Sequence, residues 1–425
     1  MTHHVILGAG PAGVIAAETI RQHAPSDRIT LIGDEPEPPY SRMAIPYLLV
    51  GNIDEAGTYL RKGADHYERL RIERVHARAT AVDTDSRTVR LGDGRSVPYD
   101  RLLIATGSRP VQPPIPGIHL PGVHHCWTLA DARAIMARAT PGARVLQLGA
   151  GFIGCIIMEA LQLRGVRLTV VEMGDRMVPR MMGPAAGGMI RAWCEAKGVT
   201  VHTNTRLEAI DHEAPLCVRL SNGERVPADL VIIAAGVKPA IQFLEGSGIR
   251  CLQGVLTDEH MQTNVPGVYA AGDCAEAFDK VSGTTIVSAI QPNAAEQARV
   301  AALNMVGQRA VLRGVTQINV LDTLGLISAS FGNWQGVPGG ERVERIDPAQ
   351  HKVLSLCFDG DVMVGCNSVG WTDHIGALRG LVEGRVRLGE WKDVLMRDPT
   401  QFMAAYLAAA QAQSRWSGAA DTRRR

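Results

Sequence analysis

"HHVILGAGPAGVIAAETIR", residues 3 to 21, joins a short apolar run to a glycine-rich turn and a helix-forming stretch. Val5, Ile6 and Leu7 predict a buried parallel strand, and the spacing predicts a helix from about Pro11 to His23. Between them stand Gly8, Gly10 and Gly13, at the spacing G-x-G-x-x-G. A unit that grips a dinucleotide needs all three: one for a tight turn, one for close approach of backbone to a pyrophosphate, one for close packing of helix on strand. Pro11 and Ala12 fall in the first helical turn, where free amides and the helix dipole attract an anion. A second strand, Arg28 to Ile32, runs into Gly33, Asp34 and Glu35. A carboxylate at that point accepts hydrogen bonds from a ribose diol; Glu35 is the first choice and Asp34 the second.

The same grammar recurs in "ARVLQLGAGFIGCIIMEALQLRG", residues 143 to 165. Val145 to Leu148 form the strand and Gly149, Gly151 and Gly154 the turn, with Phe152 and Ile153 opening a helix that runs to Gly165. "VRLTVVE" is the next strand, ending at Glu172. A carboxylate there binds an adenosine ribose 2′-hydroxyl and repels a 2′-phosphate, so NADH is favoured over NADPH, with Arg176 tempering the preference. Two such units in one chain point to two different dinucleotides.

The rest of the composition narrows the class. At 425 residues the chain is long enough for two or three domains. A net charge of +1 gives no reason to expect nucleic acid or an acidic membrane as partner, and the run Arg423 to Arg425 reads as a frayed polar tail. No uncharged apolar stretch is long enough to span a bilayer, and the N-terminus runs directly into a strand with no leader pattern. Eight scattered cysteines without a C-x-x-C pair suit a reducing cytoplasm. Thirteen histidines show no metal-ligand spacing, so no metal is expected.

A third segment, "TNVPGVYAAGDCAEA", residues 263 to 277, has a short strand ending in Gly272 and Asp273. With the two glycine loops, "LLIATGSRP" (102–110) and "VIIAAGVKP" (231–239), it resembles the FAD-dependent pyridine nucleotide–disulfide oxidoreductase superfamily. The resemblance covers nearly the whole chain. It implies an α/β fold: two Rossmann-like dinucleotide-binding domains, glutathione reductase-like, plus a C-terminal α+β domain. The FAD-binding domain is expected at 1–108 and 256–312, the NAD-binding domain at 109–255, the interface domain at 313–405 and a helical or flexible tail at 406–425. In the C-terminal part five short strands of an antiparallel sheet precede three helical segments, and Trp334, Trp371 and Trp391 serve packing.

By the same resemblance Gly8, Gly10, Pro11, Ala12 and Gly13 cradle the FAD pyrophosphate, and Asp273, after Gly272, accepts a hydrogen bond from the ribitol. Ala105, Thr106 and Gly107 mark the exit from the FAD domain and Gly236 the return from the NAD domain. Gln291 and Asn293 stand at a helix start at the flavin pyrimidine edge, where amides and dipole stabilise the charge that appears on reduction.

Absences choose among the relatives. Disulfide reductases carry a C-x-x-x-x-C pair on the helix beneath the flavin, and peroxidase and oxidase relatives keep one cysteine. The matching helix, "PPYSRMAIPYLLVGN" (38–52), has neither and places Met43 at that position, so thiol chemistry is disfavoured. "YSRMAIPYLL" instead resembles ferredoxin and rubredoxin reductases and nitrite reductase flavin modules, in which the arginine lies along the FAD. Arg42 takes that role, and Tyr47, where those reductases have a lysine, shields the ring. Relatives also read G-L-E after the third glycine of the second loop; here Cys155 and Ile156 follow, with Glu159 three residues on.

The resemblance implies an NADH-dependent FAD oxidoreductase: NADH binds over one flavin face, passes a hydride to N5, and electrons go on to a partner protein such as a ferredoxin, rubredoxin, cytochrome or enzyme component. Two other readings stay open, an NADH oxidase or quinone and small-acceptor reductase, and an NADH-responsive binding flavoprotein. No side chain need act as acid or base, so no catalytic residue is named. A homodimer or a place in a larger complex is expected from the third domain.

Overall fold

The computed structural model describes residues 1–212, 214–315 and 317–420, with side chains as far as residue 412. The arginine run at 423–425 lies outside the described residues. The chain divides into two compact units, one made of Met1–Val111, Trp127–Ala132 and Val237–Val315, the other of Gln112–Cys126, Arg133–Gly236 and Thr316–Arg425.

In the first unit the opening strand, His3–Leu7, sits at the centre of a five-stranded parallel sheet. Arg28–Gly33 and Ile72–His76 lie on one side, Arg101–Ile104 and Val268–Ala270 on the other. Val5, Ile6 and Leu7 are buried on both faces, which is why the strand reads as continuously apolar rather than alternating. The helix Pro11–His23 starts with its proline in the first turn, where a missing N–H costs nothing. Its C-terminus is tied down by Arg21, whose guanidinium donates to the carbonyls of Leu70, Pro25, Asp27 and Arg71 at 2.6–2.9 Å. The helix packs on the helix Gln291–Met305, and Ala16 and Ala17 of the one and Ala298, Ala301 and Ala302 of the other are buried, small side chains that suit a close approach.

The segment 38–52 differs from the single helix expected. A 3-10 turn, Arg42–Ala44, leads into the short helix Ile45–Val50, which ends at Gly51 with φ 86°. Pro46 explains this: it has no N–H to donate, so an α-helix can begin around it but not pass through it.

The second unit repeats the plan. Arg144–Leu148 is central in a parallel sheet, flanked by Arg167–Val171 and Thr200–His202 on one side and Leu230–Ile233 and Val123–His125 on the other. Each unit also carries a three-stranded antiparallel meander, Ala79–Asp83, Thr88–Leu91, Ser96–Pro98 in the first and Leu207–Asp211, Leu216–Leu220, Arg225–Ala228 in the second. In both, the turn between the last two strands is a four-residue D-G or N-G segment.

The five C-terminal strands form one antiparallel sheet in the order Ile318–Thr323, Leu326–Gly332, Val362–Val369, Lys352–Asp359, Glu341–Asp347. It packs within the second unit. The helix Phe152–Leu163 lies on Ile318–Thr323, and the helix Pro184–Ala196 on Lys352–Asp359 and Val362–Val369. Two polar clasps hold it: the Trp193 indole donates to the Leu324 carbonyl at 3.1 Å, and buried Asn367 accepts from Gly183 N (2.8 Å) while donating to Met181 O (3.0 Å). Asn367→Ala leaves both backbone groups buried without a partner, at about 1–3 kcal/mol for each. The midpoint of urea unfolding of this variant is expected to fall clearly, and an unchanged midpoint would show that the clasp carries no stability.

Candidate functional site

The first glycine loop is built by backbone meeting backbone. A Cβ on Gly8, which has φ +112°, would lie 2.0 Å from the Ala105 carbonyl oxygen, and one on Gly13 would lie 1.8 Å from the Gly8 oxygen. Gly10 is different. Its backbone is extended, φ −79° and ψ −172°, and nothing stands within 4 Å of where its Cβ would be. The structure itself therefore has no need of a glycine there; the open space above it suits a pyrophosphate laid against the first-turn amides. Gly107, with φ +67°, faces the same kind of opening.

Around this loop the expected residues form a connected set. The Glu35 carboxylate is held on both oxygens, by Arg42 Nη2 and by the Tyr40 hydroxyl, each at 2.5 Å. Arg42 also donates to Tyr40 Oη and to the Trp127 carbonyl, both at 2.8 Å, and its guanidinium lies over the Tyr40 and Trp127 rings. The structure thus pairs the candidate ribose acceptor Glu35 with Arg42, the candidate cofactor contact. Asp34 pairs with Arg109 at 2.6 Å. Asp273 is partly buried and accepts from the Ser108 hydroxyl at 2.9 Å; burial pushes its carboxyl up, with the hydroxyl and the Arg42 charge pulling the other way. Thr106 Oγ1 donates to Ala240 O at 2.9 Å. Gln291 accepts from the Ser41 hydroxyl at 2.9 Å and Asn293 donates to Ser288 Oγ at 2.7 Å, both in the first turn of Gln291–Met305. Tyr47 and Met43 present exposed side chains.

The second loop follows the same rule in its own unit. A Cβ on Gly149 would sit 2.3 Å from Ala234 O, one on Gly154 2.5 Å from Gly149 O, and one on Gly151 would meet nothing within 4 Å. Phe152 and Ile153 open the helix beside it. Glu172 braces the loop, accepting from Ala150 N at 2.8 Å and from Gly174 N at 2.7 Å, so its carboxylate is fixed at the end of its strand. Arg176 is occupied: it donates to Met182 O at 2.8 Å and pairs with Asp175 at 2.7 Å. Cys155 is fully buried against Ala150 O, and burial pushes its thiol up, so it is a packed small side chain and no nucleophile. Glu159 lies beside Asp322, its carboxyl pushed up by partial burial and by that neighbour.

Two contributors escaped sequence reasoning. Gln297, almost fully buried, accepts from Gly272 N at 2.8 Å and so sets the turn that carries Asp273. Gln147, buried within the second central strand, donates to Gly149 O at 2.9 Å and supports that loop from beneath. Each was signalled only by one amide amid apolar neighbours, "EQARVAAL" and "VLQL". A cleft of about 440 Å³, lined by Asp34, His76, Ala77, Arg78, Gly92 and Asp93, opens beside the first loop's acidic pair.

These geometries separate the glycines experimentally. Gly13→Ala forces backbone apart, costs about 3 kcal/mol or more, and is expected to yield little folded protein. Gly10→Ala should fold with the melting temperature of cofactor-free wild type and lose bound cofactor, read as absorbance per chain after gel filtration. Asp273→Asn should gain stability above the ordinary carboxylate range. A buried carboxyl whose pKa is raised holds its proton longer than in the unfolded chain, so native stability falls as pH rises through the two values. Thermal melts of cofactor-free protein at pH 4 and pH 8 check this; the gain must appear at pH 8 and shrink at pH 4.

Comparison with known proteins agrees with the geometry. The profile of the pyridine nucleotide-disulphide oxidoreductase family matches residues 2–302. The NADH-dependent phenylglyoxylate dehydrogenase subunit epsilon of Aromatoleum evansii is 33% identical over 85% of this chain and 86% of its own. An NADH oxidase of Methanocaldococcus jannaschii is 32% identical over 86% and 87%. The fold matches the covalent putidaredoxin reductase–putidaredoxin complex with a TM-score of 0.87, at 25% identity over 96% of this chain and 99% of that one. The chain is an oxidoreductase and belongs to the pyridine nucleotide-disulphide oxidoreductase family.

Proposed function

We propose that the chain takes electrons from NADH through FAD and delivers them to a redox partner protein, a ferredoxin, rubredoxin, cytochrome or an enzyme component. The observation that carries this reading is the pair of alike glycine loops, each closed by its first and third glycines and open at the middle one. When bound, the nicotinamide supplies a hydride and the flavin accepts it and releases electrons singly; that chemistry belongs to the cofactors.

The chain's own residues bind and orient. Gly8 to Gly13 and the first-turn amides would hold the FAD pyrophosphate, the cleft beside Asp34 its adenine, and Asp273 a ribitol hydroxyl. The N-terminal amides of Gln291–Met305, with Gln291 and Asn293, would steady negative charge at the flavin's pyrimidine edge. Gly149 to Gly154, Glu172 and Gly236 would hold NADH; the occupied Arg176 leaves no free cation from that residue for a 2′-phosphate. No thiol takes part, since Met43 stands where thiol-using relatives carry cysteine. On this reading the FAD-binding part is 1–108 with 256–312, the NAD-binding part 109–255, and 313–405 an interface for self-association or a larger complex. All eight cysteines are unpaired, which supports the cytoplasm; among the described residues no helix is long and apolar enough to cross a membrane.

The second reading, oxygen as acceptor, has the NADH oxidase relative in its favour. The two separate by NADH consumption in air with and without an added [2Fe–2S] ferredoxin or rubredoxin. An electron-transfer reductase is expected to consume NADH slowly alone and at least tenfold faster with one of these proteins. Fast consumption without any protein acceptor contradicts it. Mass spectrometry of the heat-released cofactor should give FAD; FMN would overturn the assignment of the first loop.

A further inference from the structure

The segment Arg176 to Met182 follows the second unit's carboxylate and folds back over the glycine loop. Val178 N donates to Ala150 O at 2.8 Å, and Met181 N and Met182 N both return to Val178 O. Val178 makes the turn with φ +50°, a conformation that a β-branched residue adopts only under constraint, and it is buried. Arg176 closes the segment from the inside through Met182 O. Strain held this firmly fixes where the next exposed side chain, Arg180, emerges.

Arg180 has no hydrogen-bond or ion-pair partner among the described residues. Its Nη1 is the nearest atom to Gly236, 3.9 Å from the position a Cβ would take there. The Gly236 turn follows the strand Leu230–Ile233, and the carbonyl of Ala234 is what the Gly149 loop packs against. The guanidinium therefore stands beside the Gly236 turn, just past the strand end whose Ala234 carbonyl closes the Gly149 loop. The helix that starts from that loop begins Phe152, Ile153, Gly154, Cys155 and offers only amides.

We propose that Arg180 is a positioning residue for the second dinucleotide, its guanidinium holding the pyrophosphate across the Gly149 loop; this rests on the reading of that loop as the NADH site. The planar fork suits two phosphate oxygens at once, and the side chain gives up no existing partner when it binds. Arg176 and Arg180 thus divide their work, one building the loop and one reaching the ligand.

The test uses the flavin-loaded full chain with its flavin reduced beforehand by dithionite under anaerobic conditions, so that no hydride is transferred, and measures binding of NADH, NADPH, ADP and adenosine by titration calorimetry to wild type, Arg180→Ala and Arg180→Lys. Arg180→Ala is expected to weaken NADH and ADP about tenfold and to leave adenosine unchanged. Arg180→Lys should recover part of the loss, and the salt dependence of NADH binding should be shallower in Arg180→Ala than in wild type. Unchanged NADH affinity in Arg180→Ala overturns the proposal, as does equal weakening of adenosine, which would mean a disturbed loop. A loss confined to NADPH also overturns it and assigns Arg180 to a 2′-phosphate. If wild type binds no NADH, the functional reading falls together with this one.

Discussion

Each unit rests on a place where two stretches of backbone come closer than any side chain allows. The Gly8 carbonyl lies where a Cβ of residue 13 would be, and the Ala105 carbonyl where a Cβ of residue 8 would be. This contact seats the helix Pro11–His23 against the C-terminal end of the central strand, so that its first amides face outward over Gly10. The second unit makes the same contact with Gly149, Gly154 and Ala234. The strand that supplies the opposing carbonyl differs in sequence position but not in role: it is the neighbour across the point where strand order reverses. Ligands of open parallel sheets gather at such a point because the loops part there.

What surrounds the two loops differs in purpose. In the first unit charge is locked into a network of Glu35, Arg42 and Tyr40, with Asp34 taken by Arg109. Partly buried and doubly bonded, this network orders the segment 38–52 against the strand end. Met43, in the 3-10 turn, and Tyr47, in the short helix, present exposed side chains there, with no cysteine among them. In the second unit the carboxylate of Glu172 is fixed by backbone amides, and Arg180 has no hydrogen-bond or ion-pair partner among the described residues.

The glycine spacings and the apolar strands that precede them were legible because each depends on residues near in sequence. Gly8, Gly10 and Gly13 announce their geometry within six positions, and both loops have it. The five C-terminal strands were legible too, from alternation and turn residues. Their docking was not, because Asn367 reaching Met181 and Gly183, and Trp193 reaching Leu324, join residues more than a hundred positions apart. For the same reason Glu35 could be read as a ribose acceptor and Arg42 as a cofactor contact, while their mutual pairing stayed hidden. Gln297 and Gln147 were overlooked because a single amide in an apolar run gives no sign of which backbone group it will satisfy.

The central claim is that the two loops hold different dinucleotides and that electrons pass from the second to the first. Anaerobic stopped-flow mixing of the purified protein with NADH and, separately, NADPH tests it most directly. Rapid bleaching of flavin absorbance by NADH, much slower bleaching by NADPH, and slow recolouring on admission of air are the predicted results. A protein that purifies without flavin, or whose flavin NADH does not bleach, would contradict the account.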